Sequence, residues 1–321
     1  MVGINIIAAK AKQCIINVSP AGCGKSSATD TVTLMLKGKA MKYTSMTLAG
    51  LKHESVELTQ FGGHIVIDDL GSEKSEWSRV STVTVLATLV HTHYVKKITQ
   101  AGILQIENFY GSASLNIQPV LMDSIIREDD WISVIRDKSL RYYHMIRPVD
   151  PQPMLKSIDL DWGLALQEVA EPKKTGKQWY QLVAAGLTQW SFGRVKEHLP
   201  PLLKACAALD NRTTVKTEDY KLLYKLMKPM QLERYLLTTY EFETGRVFEK
   251  NLNCILVELA SHGAPSIETI CEDYKCSPTT TIRIAQSLPE WCWIEAGNPK
   301  KLRPTEHAQN IMKIVGVNEK W

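Results

Sequence analysis

The chain has 321 residues, of which 44% are hydrophobic and 22% charged, with a formal net charge of +4. These proportions describe a globular chain that buries one large core and leaves room for one or two small domains. The weak positive balance permits contact with a polyanion without the excess of a histone-like chain, and no apolar run reaches the roughly 20 residues of a membrane helix.

The opening MVGINIIAAKAKQCIINV is apolar but interrupted by lysines and has no cleavage-site pattern, which reads as a mature, cytoplasmic protein with almost nothing before its first strand. That strand is Cys14–Val18, ending in a Ser/Pro/Gly-rich turn, and Ser26–Leu36 follows as a helix closed by Lys37-Gly38-Lys39. Strand-like runs come next at Tyr43–Leu48 and His64–Ile67, and Ser78–Leu89 reads as a helix despite its β-branched residues. Tyr94–Ile106 is hydrophobic, then QAG, then hydrophobic again: a β-hairpin, or a strand preceded by a loop. Short strands are expected at Trp131–Ile135 and Leu140–Ile146. Strands alternating with helices predict an α/β domain over residues 1–150 with a largely parallel sheet.

Residues 151–245 change character. After the exposed loop EPKKTGK the spacing is helical, with Pro200-Pro201 and Pro229 expected to break or start helices and Thr217, followed by Glu218 and Asp219, to begin one. Residues 246–321 read as three helices capped by a two-stranded wing. The seven cysteines are scattered, and no further cysteine or histidine completes a zinc site around Cys271 and Cys276, so reduced thiols in a reducing compartment are expected.

Two motifs carry chemistry. The stretch Ser19, Pro20, Ala21, Gly22, Cys23, Gly24, Lys25, Ser26, Ser27 matches the discriminating end of the phosphate-loop pattern GxxxxGK[ST], with Ser19 where the leading glycine would stand. Gly22 and Gly24 let the backbone curl so that successive N–H groups face phosphate, and the helix beginning near Lys25 adds its dipole. Lys25 would reach the β- and γ-phosphates and the Ser26 hydroxyl would ligate magnesium. About 40 residues on, by the spacing such a motif takes in the chain, the strand of HIVIDDLG ends in two carboxylates. Asp68 fits a magnesium role through water, and Asp69 fits the residue that polarises an attacking water. Carboxylates at the end of a buried strand need a metal, a proton or a basic partner to balance them. Together the motifs predict a site for ATP or GTP with Mg2+.

SPAGCGKSS, HIVIDDLG and Asn116 in ASLNIQP resemble the AAA+ class of P-loop ATPases, and IDDLGSEKSEW resembles the corresponding segment of replicative-helicase loaders and initiators. The resemblance implies that Asn116 is the sensor that positions the lytic water. It implies that residues within 151–245 form a helical lid, with Arg194 as the second sensor, and that Arg127, Arg136 or Arg141 is an arginine finger acting on a neighbouring subunit. A hairpin bearing Lys96 and Lys97, like that of the minichromosome-maintenance-like group, would point into a central channel, with Lys42, Tyr43 and Lys52 as weaker channel-loop residues. In the terminal winged helix, Arg283 and Gln286 lie on the recognition helix and Lys300, Lys301 and Arg303 at the wing. The function implied is an oligomeric DNA-associated ATPase, a hexameric ring or spiral, acting in replication as initiator, helicase loader or small helicase, with DNA and a replicative helicase as partners. A different reading is an ATP-gated DNA-binding scaffold or regulator, in transposition or viral genome handling, with weak turnover. A third is an ATPase that remodels protein. Asp69 stands where that class places the longer glutamate, so slow or partner-dependent hydrolysis is expected.

Overall fold

The structure is a computed structural model that describes residues 1–70, 76–99, 102–126, 134–144, 162–173, 188, 190, 192–233, 264–274, 277–286, 289 and 291–315. The chain divides into two compact units, one of Met1–Ser19, Gly24–Tyr143 and Pro153–Gln231, the other of Pro20–Cys23, His144–Gln152 and Leu232–Trp321.

The first unit is built on nine-residue helix α1 (Val2–Lys10), strands β1 (Cys14–Val18), β2 (Ala40–Tyr43), β3 (His64–Ile67), β6 (Ser112–Ile117) and β7 (Ser139–Tyr143), and a hairpin of β4 (Val95–Thr99) and β5 (Gly102–Ile106). The five strands other than the hairpin form one sheet in the order β2-β3-β6-β1-β7, every neighbouring pair parallel. β1, β3, β6 and β7 are buried along their whole length. Strands covered on both faces read as continuous apolar runs, and CIINV and HIVI do so apart from one polar residue each.

Helix α1 was not expected. Seven of its nine residues are buried, so it shows no polar face and no 3.6-residue period by which a sequence reading would find it. It packs against α2 (Lys25–Met35), β6 and β1, and against two later helices, α8 (Phe192–Leu209) and α9 (Thr217–Met227). Ile4, Ile7 and Ala8 share a core with Ile15, Leu202 and Leu223. After the short helix α4 (Ser55–Leu58), the predicted helix over 78–89 is longer, α5 (Glu76–Thr92), and α6 (Pro119–Ile126) follows β6. Tyr94–Ile106 is the hairpin, with Lys96 opposite Gln105 and Lys97 opposite Leu104.

Three local expectations need correction. The strand expected at Tyr43–Leu48 is Ala40–Tyr43, and it does not run on to Leu48 because the Thr47 hydroxyl accepts the Gly50 N–H at 2.9 Å and caps helix α3 (Leu48–His53). Of the strand expected at Trp131–Ile135, Ile135 instead leads into the three-residue helix α7 (Arg136–Lys138), and residues 131–133 lie outside the described residues. Pro200 and Pro201 do not break α8, which runs through both. A proline in a helix interior costs about 3 kcal/mol. Here Leu199, Leu202 and Leu203 are fully buried on either side of the pair, and their burial outweighs that cost.

In the second unit, α10 (Ile267–Tyr274) and α11 (Pro278–Gln286) precede β8 (Cys292–Glu295) and β9 (Lys301–Pro304), an antiparallel pair followed by α12 (Glu306–Val315). Trp291, Ile270, Ala285, Leu302 and Ala308 are buried there. The expected helix LNCILVELASHG lies outside the described residues.

Candidate functional site

Because all five sheet strands are parallel, their C-terminal ends form one edge, where α/β sheets bind their ligands. Ser19 follows β1 at this edge, Asp68 follows β3, and Asn116 is the penultimate residue of β6. β6 lies between β1 and β3, and Asn17 of β1 pairs with Asn116 while Ile67 of β3 pairs with Leu115. Residues 40 to 100 positions apart in the chain are thereby set side by side.

The loop after β1 has the conformation its glycines permit. Gly22 and Gly24 have φ of 79° and 81°, a region open to glycine at no steric cost. A Cβ at Gly24 would meet nothing within 4 Å, so backbone angle rather than space demands glycine there. Ser19 needs no such freedom. It is fully buried, its N–H continues the ladder to Ile117 O at 3.2 Å, and its φ is not positive. The missing leading glycine is therefore tolerated. Lys25 is the first residue of α2, and its ammonium donates to the Ser19 carbonyl. Ser26 is exposed and its hydroxyl is hydrogen-bonded to Asp68.

Asp68 is the hub. It accepts from Asn116 Nδ2 at 2.9 Å, and Lys42 Nζ lies 3.5 Å from its other oxygen. Burial alone would raise its pKa. The bonds from Ser26 and Asn116 and the charge of Lys42 outweigh that and hold the carboxyl below its ordinary value. Lys42, expected on a channel loop, is thus at the C-terminal edge of the sheet beside Asp68, bonded also to Asp30 of α2. It sits there because β2 pairs Lys42 with Val66, two residues before Asp68. Tyr43 donates to Glu54 at 2.8 Å, and Lys52 lies against Gly102 of the hairpin. The Asp69 N–H is held by Thr44 O at 2.9 Å. Among the described residues no group of three His, Cys, Asp or Glu could hold a metal. One hydroxyl and one carboxylate nonetheless suit magnesium, which takes its remaining ligands from water and phosphate.

No family model matches the sequence, and no curated protein matches it. A solved structure described as "The A form apo structure of NrS-1 C terminal region-CTR" is 9% identical, aligned over 94% of this chain and 71% of that one, with a TM-score of 0.31. A likeness that slight carries no argument. The chain is an α/β protein whose parallel five-stranded sheet is compatible with a P-loop core.

The arginines are placed elsewhere. Arg194 of α8 lies 3.0 Å from His91 Nε2, 2.6 Å from Glu197 and 3.7 Å from Asp137. Asp137 and Gln13, which precede β7 and β1, bond His198 of the same helix, so this cluster sits at the N-terminal edge of the sheet. That edge is a five-residue strand, about 16 Å, from the phosphate loop. Within this chain Arg194 is therefore not brought to the site. Arg136 lies at the same edge, its Nε 3.6 Å from Asp137. Arg141 is buried and donates to the carbonyls of Arg136 and Ser139, both at 2.6 Å, which commits it to the turn before β7. Arg127 lies outside the described residues.

Of the basic residues expected to meet DNA, Lys96 is exposed and Lys97 half-buried on the hairpin. In the second unit Arg283, Gln286, Lys300 and Lys301 are exposed, whereas Arg303 is bonded across the strand pair to Glu295 at 2.9 Å. An arginine so paired is less disposed to contact phosphate.

A buried polar stripe behind Asp68 escaped the sequence reading. His64, Ser112, Ser114, Asn116 and Asn17 are each at most 1% exposed. Ser114 donates its O–H to Asn5 Oδ1 at 2.8 Å, so it must accept from His64 Nε2–H at 3.0 Å. His64 Nδ1 is then bare and accepts from Ser112 at 2.8 Å. Burial, with a smaller push from Lys12, drives the His64 pKa down to about 3. The unfolded chain binds a proton below about pH 6.5 that the native chain refuses, so this histidine costs stability as pH falls from 6.5 towards 3. Denaturant unfolding at pH 7.5 and 5.5 will show a loss about 1.4 kcal/mol larger in the wild type than in His64→Gln. Equal losses would mean that His64 is protonated in the native protein.

Proposed function

We propose that the chain is a magnesium-dependent, DNA-associated ATPase of the AAA+ class that works in replication as an oligomer, a hexameric ring or a spiral, as initiator, helicase loader or small helicase. The observation that carries this reading is the convergence of Ser26, Asp68 and Asn116 at the C-terminal edge of the sheet, with Gly24 at positive φ leading into α2. Lys25 binds the β- and γ-phosphates, and the loop N–H groups and the start of α2 favour the same negative charge. Ser26 and Asp68 would hold Mg2+, which would supply positive charge beside the phosphates. Asp69 polarises the attacking water, and Asn116 orients the reacting groups from its place between the two motifs. Residues 151–245 act as the lid and residues 246–321 as a winged helix. Its α10, α11 and antiparallel β8–β9 pair have the order such a module requires.

DNA contact is divided between the hairpin and the second unit. Neutralising phosphates releases counterions, so each lost contact reduces the salt slope by about 0.9. Salt titration of duplex binding by the full chain will show Lys300→Ala/Lys301→Ala weakened broadly, with the slope smaller by about 2. Lys96→Ala/Lys97→Ala will instead lose ATP-dependent engagement. An unchanged affinity and slope in the first variant would assign the second unit to protein docking.

The reading as an ATP-gated scaffold with weak turnover has two points in its favour. Lys42 already lies 3.5 Å from the carboxylate that would hold magnesium, and the water-polarising acid is the shorter Asp69. Strand separation on a forked substrate separates a helicase from a loader or scaffold, and DNA-stimulated turnover separates the DNA-associated ATPase from one that remodels protein.

A further inference from the structure

Asn17 stands in the middle of a buried strand and Asn5 in the middle of a buried helix, and both are 0% exposed. A primary amide buried without partners costs free energy comparable to several lost hydrogen bonds, yet no atom of Asn5, Asn17 or Asn116 lacks a partner. Asn5 Nδ2 donates to the Met1 carbonyl at 3.0 Å and to Asn17 Oδ1 at 2.9 Å. Asn17 Nδ2 donates back to Asn5 Oδ1 at 3.0 Å and onward to Asn116 Oδ1 at 3.1 Å. Asn116 Nδ2 then donates to Thr29 Oγ1 at 3.0 Å and Asp68 Oδ1 at 2.9 Å.

The direction of this chain is fixed at both ends. The Met1 carbonyl and the Asp68 carboxylate only accept, so the NH2 group of Asn5 must face the first and that of Asn116 the second. Turning Asn17 over would set its oxygen against the oxygens of both neighbours. Only one orientation of the three amides satisfies every atom.

We propose that Asn17 and Asn5 are positioning residues of the nucleotide site, which lock Asn116 so that its NH2 group, not its oxygen, faces Asp68 and the phosphate edge. Asn116 is thereby a donor. It contacts a phosphate oxygen, or passes its hydrogen bond from Asp68 to one, and does not accept from the attacking water. Helix α1 becomes part of the catalytic apparatus, since its Asn5 closes the chain. The role of Asn116 at a phosphate rests on the function proposed above, whereas the locking of its amide does not.

The experiment combines asparagine-selective 15N spectra of the full chain with steady-state hydrolysis and binding of the magnesium complex of a slowly hydrolysed ATP analogue. In the nucleotide-free wild type the Asn116 side-chain amide will be strongly protected from hydrogen exchange. In Asn17→Ala that protection will be lost and kcat will fall about tenfold, the worth of one well-placed hydrogen bond, with analogue affinity within about threefold. In an Asn116→Ala background, Asn17→Ala will change kcat by less than about twofold, because a residue that acts through another has nothing left to act on. Exchange as fast as a solvent-exposed amide in the wild type would overturn the locking. So would an Asn17→Ala variant with Asn116 still protected, or one with the same fall in kcat in both backgrounds. If Asn17→Ala does not fold, Asn5→Ser, at the far end of the chain, carries the same test. If the analogue does not bind at all, the proposed function fails, and the exchange measurement still decides the locking.

Discussion

Lys25→Ala lowers the affinity for MgATP by about a hundredfold, the value of roughly 3 kcal/mol for charge-assisted bonds to two phosphates. The side chain leaves from the first residue of α2, directly after Gly24 at φ 81°, so its ammonium lies over the curled loop. The ammonium donates to the Ser19 carbonyl, a contact that charge-assisted bonds to phosphate oxygens would replace. Lys25 is only half-buried, so the fold is retained, and thermal unfolding of the variant checks this. Titration with ATP in the presence of magnesium measures the loss. Affinity equal to that of the wild type would take the loop out of the site.

Asp69→Asn keeps MgATP affinity within about threefold and hydrolyses it about a thousandfold more slowly, within the 10²–10⁴ range of a lost general base. Asp68→Asn behaves differently. Asp68 is the residue bound by Ser26, Asn116 and Lys42, and its carboxyl is held ionised by them, so replacing it removes the metal's protein carboxylate and weakens magnesium-dependent binding itself. The two neutral amides are nearly isosteric with the acids, which keeps packing out of the comparison. Equal loss of binding in both variants would mean that the two acids share one role. Turnover by Asp69→Asn at the wild-type rate would move the water-polarising group elsewhere.

The strands were legible where both faces are buried and the run is apolar. CIINV and HIVI fall where expected, and the glycine turn after β1 and the double acid at the end of β3 were legible because glycine at positive φ and carboxylates at a strand end are dictated by local chemistry. What escaped was decided by tertiary contact. The run SASLNI alternates polar and apolar residues, as a strand open to water on one side would, but all six residues are buried, because α1 covers the polar side and supplies Asn5. A lone asparagine in CIINV and another in GINII were the available signals, each an expensive residue in an apolar run. Lys42 went to Asp68 because a four-residue edge strand sets it beside β3, and spacing along the chain carries no trace of that pairing. Arg194 was assigned by analogy, and the partners that hold it at the other edge, His91, Asp137 and Glu197, come from three separate elements.

The central claim is that a nucleotide's phosphates lie between the β1–α2 loop and the Asp68–Asn116 pair. A crystal structure of the full chain with magnesium and a slowly hydrolysed ATP analogue tests it most directly. Phosphate density will lie against the Gly24 and Lys25 N–H groups, the Lys25 ammonium will have turned from Ser19 to the phosphates, and a metal ion will be bound by the Ser26 hydroxyl on the Asp68 side. Nucleotide bound away from this edge, or an unchanged Lys25–Ser19 contact at saturating analogue, would contradict it.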